Sequence, residues 1–164
     1  MDFQVGDKVV HWTYGLGEII NLEEKILSGR TSLYYVVQVN DLTIWVPSDE
    51  NGKRSMRLPT PANEFENLFI LLSSPGEPLS KDRLERKLEL SQRMKDGTLE
   101  SICRVIRDLS FFRKTQKFNE SDTLTLERAQ KFLLSEWMIS FSIPAAQAEK
   151  ELKRLLGDHP SDQK

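Results

Sequence analysis

Phe3-Gln4-Val5-Gly6-Asp7-Lys8-Val9-Val10-His11-Trp12-Thr13-Tyr14-Gly15-Leu16-Gly17-Glu18-Ile19-Ile20 is the stretch that decides how the first third of the chain folds. Gly6-Asp7 makes a tight entry to a short strand carrying Val9 and Val10. Tyr14 to Gly17 reads as a turn, and Glu18-Ile19-Ile20 restarts a strand. Glycine at 15 and 17 permits positive φ or close backbone approach, which a sharp reversal needs. This is the opening of a small, strongly bent β-barrel of the Tudor or SH3-like kind. Further along, apolar and polar residues alternate in Tyr34–Val39 and again in Leu42–Val46. Asn40-Asp41 and Ser28–Ser32 read as turns, and Pro47 ends a strand because it has no N–H for a ladder. Asp49–Lys53 reads as a solvated loop. About five short strands in this span are too few for a sandwich but enough for a small barrel. Its expected core is Val5, Val9, Ile19, Val37, Val39, Ile44 and Val46.

The pattern changes after the strands. Glu64–Leu72 is a short helix or a final strand. Ser73-Ser74-Pro75-Gly76-Glu77-Pro78 has linker composition. Beyond it every segment is helical. Ser80 can N-cap a helix to about Lys95, with Leu84, Leu88 and Met94 at apolar positions. Asp96-Gly97 stops it, and Thr98 caps a second helix with an apolar face of Leu99, Ile102, Cys103, Val105, Ile106 and Leu109. Asn119 with Asp122 resembles a capping box opening a third helix, in which Leu126, Ala129, Leu133 and Trp137 face inward. Pro144 can open a fourth as its first-turn residue, ending near Leu156-Gly157. The expected fold is therefore α+β in two domains: a β-barrel over 1–72, a linker over 73–78, a bundle of about four helices over 79–157, and a frayed polar tail over 158–164.

Composition narrows the function. The sequence has no apolar run long enough to span a bilayer and no signal peptide, so a cytoplasmic protein without membrane contact is expected. Its one cysteine, Cys103, excludes an internal disulfide and falls at a core position. Residues 1–78 hold 6 basic and 11 acidic side chains, whereas residues 81–117 hold 11 basic and 6 acidic. That asymmetry fits two partners of different charge; a mixed-charge solvated helical surface is the plainer alternative. Lys81, Arg83, Arg86 and Lys87 cluster on the first helix, where they can contact phosphates without regard to sequence. An Asp82–Arg86 pair one turn apart fits the plainer alternative. Two histidines, His11 and His159, lie in different domains, and no zinc spacing, phosphate loop or nucleophile elbow is present. His11 reads as a strand residue at the barrel rim. A non-enzyme without cofactor, metal or small-molecule substrate is expected.

Several stretches together resemble the CarD family of bacterial transcription regulators. These are V-G-D-K-V-V-H-W-T-Y-G-L-G at the start, L-T-I-W-V-P at 42–47, Met56-Arg57, V-I-R-D-L at 105–109, and L-E-R-A-Q-K-F-L-L-S-E at 126–136. They occur in the family's order and cover nearly the whole chain. The resemblance implies a barrel that docks on the RNA polymerase β subunit and a helical domain that contacts upstream promoter DNA. It implies polymerase contacts at a basic residue of the second strand, which maps onto Lys25, and at an arginine of the L-x-(V/I)-x-V-P segment, where Trp45 stands. It implies DNA contact by an apolar wedge just before the first helix of the bundle, where Leu79 stands in place of the family's tryptophan, beside Lys81, Arg83, Arg86 and Lys87. Leu79 is expected to be exposed. The expected function is modulation of open-promoter stability; the alternative is an adaptor of the same fold that does not bind DNA.

Overall fold

The computed structural model describes residues 3–157, in two compact units divided between Pro59 and Thr60. The first is a five-stranded antiparallel sheet of β1 (Lys8–His11), β2 (Gly15–Leu27), β3 (Arg30–Val39), β4 (Leu42–Pro47) and β5 (Met56–Arg57). The spatial order is β4-β3-β2-β1-β5, so β4 and β5 are the outer strands. Tight turns join β2 to β3 and β3 to β4. Ser28 and Gly29 both take positive φ, 54° and 77°, as a two-residue hairpin with the sheet's twist requires. Gly17 is needed for space: a Cβ there would lie 2.7 Å from the Gln38 carbonyl oxygen. The core is Phe3, Val9, Ile19, Tyr35, Val37, Val39, Val46 and Met56, with Ile44 packed against it. Val5 is exposed instead of joining them; it sits in the turn that leads into β1. The expected loop at 49–53 is helical. Asp49 accepts the Gly52 N–H at 2.9 Å and caps α1 (Glu50–Arg54), which touches both β4 and β5. Gly52 is obligatory there, because a Cβ would overlap the Pro47 carbonyl oxygen at 1.7 Å.

The second unit opens with a single 3-10 turn at Ala62–Glu64 and then α2 (Phe65–Ser73). It continues with α3 (Arg83–Lys95), α4 (Leu99–Thr115), α5 (Glu120–Phe141) and α6 (Ala145–Leu155). The last four are the expected bundle. Residues 60–72 fall in this unit, whereas the sequence places them with the barrel. Aromatic packing is the reason: Phe65 and Phe69 of α2 lie against Trp137 and Phe141 of α5, with the Phe69 and Trp137 rings 4.9 Å apart.

Capping follows local chemistry. Thr98 accepts from the Ser101 N–H, and Asn119 with Asp122 completes the capping box of α5. Asp82, not Ser80, caps α3, and Pro144 stands at the N-cap of α6, one residue before the helix.

The proline-rich segment 73–78 is not a free linker. Asp108, almost inaccessible on α4, accepts the Glu77 N–H at 2.9 Å, Arg93 Nη1 at 2.7 Å and Arg107 Nε at 2.9 Å. Arg107 also donates to the Ser74 hydroxyl at 3.1 Å. Gly76 lies so close to Phe111 that a Cβ would come within 2.3 Å of the phenylalanine Cβ. The Arg-Asp of V-I-R-D-L is thus a buried fastener for a strap. The expected tail at 158–164 lies outside the described residues.

Candidate functional site

Strands β2, β3 and β4 present an outer sheet face opposite the core. Val36 of β3 pairs with Asn21 on one side and Trp45 on the other, which places Asn21, Glu23 and Lys25 on the face that carries Trp45. The Trp45 indole reaches across β3. Its Nε1 donates to Glu23 Oε2 at 3.0 Å, and Lys25 Nζ sits 3.9 Å from the ring centroid. The sheet thus brings together the two residues expected at a polymerase contact. Trp45 is 42% exposed, so an indole and an ammonium form one accessible platform, with a cation–π term of about 0.5–1 kcal/mol fixing it. Glu23 orients the indole and was not foreseen; only the strand register reveals it. Beside this platform β4 is an outer strand. Beyond β1, the β2–β3 ribbon exposes Leu22, Ile26, Leu27 and Leu33. The alternation Leu22, Glu24, Ile26 marks one of its faces in the sequence, but its exposure follows from β1 pairing with β2 only as far as Glu18.

His11 ends β1 and is buried at the turn. Its Nδ1 accepts the Thr13 N–H at 3.0 Å and the Tyr14 N–H at 3.3 Å, so the imidazole pins the turn. Burial holds its pKa below the ordinary value. Cys103 is a buried core thiol, pushed up to about 12 by burial and then by the charges of Glu136 and Glu100. Neither is a catalytic arrangement, and no His/Cys/Asp/Glu group among the described residues is placed to hold a metal ion.

At α3 and the segment leading into it, the expected DNA-contact residues separate. Lys81, Arg83 and Lys87 are exposed. Arg86 is not available: it is 3% exposed and makes a two-pronged pair with Asp122, Nε to Oδ1 at 2.8 Å and Nη2 to Oδ2 at 2.9 Å. Its guanidinium also lies 4.6 Å from the Phe112 ring centroid and donates to the Ser80 carbonyl at 3.0 Å. Asp122 is therefore its partner; Asp82 is occupied as the N-cap. Burial pushes the Asp122 carboxyl up, but the hydrogen bonds from Arg86 and from the Asn119 N–H outweigh this and hold it below the usual range. Leu79 is corrected too. It is 7% exposed and so belongs to the core; the strap that holds Glu77 carries it inward. Conversely Leu84 and Leu88, two of the apolar positions of the helical pattern, are 65% and 62% exposed. The buried stripe of α3 is Arg86, Leu90 and Met94. A helical pattern that scores arginine as polar misses this stripe and selects the leucines beside it.

Residues 3–58 match the family model of the CarD-like/TRCF RID domain, and residues 67–153 match that of the CarD C-terminal domain. The chain belongs to the CarD family. The family is one of transcription regulators, and its two domain models fall on the two compact units. The chain is also similar to "Putative transcription factor YdeB" of Bacillus subtilis (strain 168), with 27% identity over 157 residues, covering 92% of this chain and 97% of that protein. No helix among the described residues is long and apolar enough to cross a membrane.

Proposed function

We propose that this CarD-family protein is a non-enzymatic, cytoplasmic regulator that binds the β subunit of RNA polymerase through its barrel. Its helical unit touches promoter DNA upstream of the start site. The observation that carries the reading is the Lys25–Trp45 platform beside the outer strand β4. An outer strand offers main-chain hydrogen bonds to a partner sheet, and an aromatic anchor beside it supplies affinity. A partner with a carboxylate facing Lys25 and an apolar residue facing Trp45 complements the surface.

DNA contact falls to Lys81, Arg83 and Lys87, with Leu84 and Leu88 exposed among them. Leucine is one of the side chains that wedge against unstacked base steps; here the exposed pair, not Leu79, offers that chemistry. A protein that holds polymerase and melted DNA together stabilises only the state in which both contacts exist. The adaptor reading without DNA draws on the burial of Leu79 and Arg86, which leaves three of the five expected DNA residues on the surface. Promoter-complex lifetimes separate the two. A regulator changes the lifetime of the open complex, and Leu84→Ser with Leu88→Ser reduces that change. An adaptor binds polymerase and leaves the lifetime unaltered.

A further inference from the structure

The β2–β3 ribbon runs on past both of its neighbours. Lys8 with Glu18 is the last pair between β1 and β2, and Tyr34 with Pro47 the last between β3 and β4. Beyond them the ribbon continues as two strands to Leu27 opposite Arg30. The core face continues onto it. Tyr35 belongs to the core, but its partner Leu22 is 40% exposed. Further out on the same face, Glu24 lies opposite Leu33 and Ile26 opposite Thr31, and Ile26 is 74% exposed. A two-stranded ribbon with an uncovered apolar face is marginal until a third strand joins it.

The turn decides which main-chain groups are left over. Leu27 and Arg30 flank the two-residue turn at Ser28-Gly29 and so exchange hydrogen bonds with each other. Counting back in steps of two, Lys25 and Glu23 also bond to β3, while Ile26, Glu24 and Leu22 turn their N–H and C=O groups outward. The Leu22 N–H agrees with this phase: Asn21 Oδ1 accepts it at 2.9 Å, a local cap for an edge donor.

An open edge is a template for another strand. Leu22-Glu23-Glu24-Lys25-Ile26 is complementary to itself when set against a reversed copy. With the two-fold axis at Glu24, Leu22 meets Ile26 of the second copy on the apolar face, and Glu23 meets Lys25 of the second copy on the other. The outward groups of Leu22, Glu24 and Ile26 then face one another, as antiparallel pairing requires. An axis at Glu23 or at Lys25 sets that charge against its own copy and puts Glu24 opposite Leu22 or Ile26. The Glu24 register keeps one like-charged pair, at the axis itself, which weakens the association.

We propose that the outer edge of β2, Leu22–Ile26, is a self-association surface whose occupant is the same edge of a second copy of this chain. The pairing is short and carries the Glu24 repulsion, so the dimer is reversible and forms as concentration rises. Lys25 also belongs to the platform with Trp45, so the dimer engages a residue that polymerase binding is proposed to use; the pairing itself does not rest on that reading.

The test is sedimentation of the full chain alone between about 1 μM and about 1 mM, the range of weak dimers. The parent should pass from monomer to dimer. Glu24→Gln removes the repulsion at the axis and should tighten the dimer about two- to fivefold. Lys25→Glu turns both Glu23–Lys25 pairs into repulsions and should weaken it at least about tenfold. Glu23→Lys with Lys25→Glu exchanges the two charges and should restore the dimer to within about threefold of the parent. Ile26→Pro removes an outward N–H that the ribbon's own ladder does not use, and should abolish the dimer while circular dichroism shows the barrel folded. A parent and a Glu24→Gln variant that both stay monomeric overturn the proposal. So does a dimer indifferent to Lys25→Glu, or a charge-exchanged variant as weak as Lys25→Glu alone.

Discussion

Arg86→Ala separates a structural cation from a DNA-binding one. The side chain is 3% exposed and its partner Asp122 is buried beside it. Removing one member of a buried, two-pronged pair leaves an uncompensated carboxylate and costs about 3–5 kcal/mol. For a unit of this size each kcal/mol moves the melting temperature by about 4–8 °C, so a loss of roughly 12 °C or more is expected by circular dichroism. Asp122 also closes the capping box by accepting the Asn119 N–H at 2.9 Å, so Arg86→Met with Asp122→Leu should recover only part of the loss. The pair has an acid signature as well. The carboxyl is held below its usual value in the fold, so its contribution is complete above the unfolded pKa of about 4 and is lost as pH falls through the lower folded value. That acid-side slope should be shallower in the double variant. Lys87→Ala, one residue away and exposed, should change stability by no more than about 0.5 kcal/mol. An Arg86→Ala protein that melts with the parent and binds DNA more weakly would refute the reasoning.

Leu79→Ala should destabilise the helical unit by about 2–5 kcal/mol, and Leu79→Trp should overpack it by about 1–3 kcal/mol; a longer-lived open complex with Leu79→Trp at unchanged stability would return that residue to the surface. With Lys81, Arg83 and Lys87 as three phosphate contacts, the logarithm of DNA affinity should fall against the logarithm of salt with a slope of roughly −3. Reversing all three charges should abolish binding without unfolding, and an affinity indifferent to salt would exclude them. The folded His11 pKa lies below the unfolded one, so the unfolded chain takes up a proton first, and barrel stability should fall as pH drops below about 6.5. His11→Asn keeps an acceptor for the turn and should remove this slope in denaturant titrations; an equal slope in that variant would assign it elsewhere.

Alternation and glycine placement made the barrel legible, because a strand's period of two and the need for backbone space at Gly17 are local properties. Helix caps were legible for the same reason at Thr98 and at the Asn119–Asp122 box. What failed was long-range. Segment 73–78 has the composition of a linker, yet Asp108, thirty-one residues from Glu77, makes it a strap. Arg86 reads as a surface cation until Asp122, thirty-six residues away, buries it. With Arg86 inward, Leu84 and Leu88 must face out. At the barrel site, Lys25 and Trp45 were placed by family likeness, while their stacking and the Glu23 hydrogen bond depend on cross-strand register, which turn lengths alone did not fix.

The most direct test of the account is the affinity of the full chain for purified core RNA polymerase, compared with that of the Lys25→Glu/Trp45→Glu double variant. Loss of an aromatic hot spot and reversal of its neighbouring charge should together weaken binding by at least about 2–3 kcal/mol, near a hundredfold, with the barrel still folded by circular dichroism. No binding by the folded parent chain, or equal affinity for the double variant, would contradict the assignment of this face to polymerase.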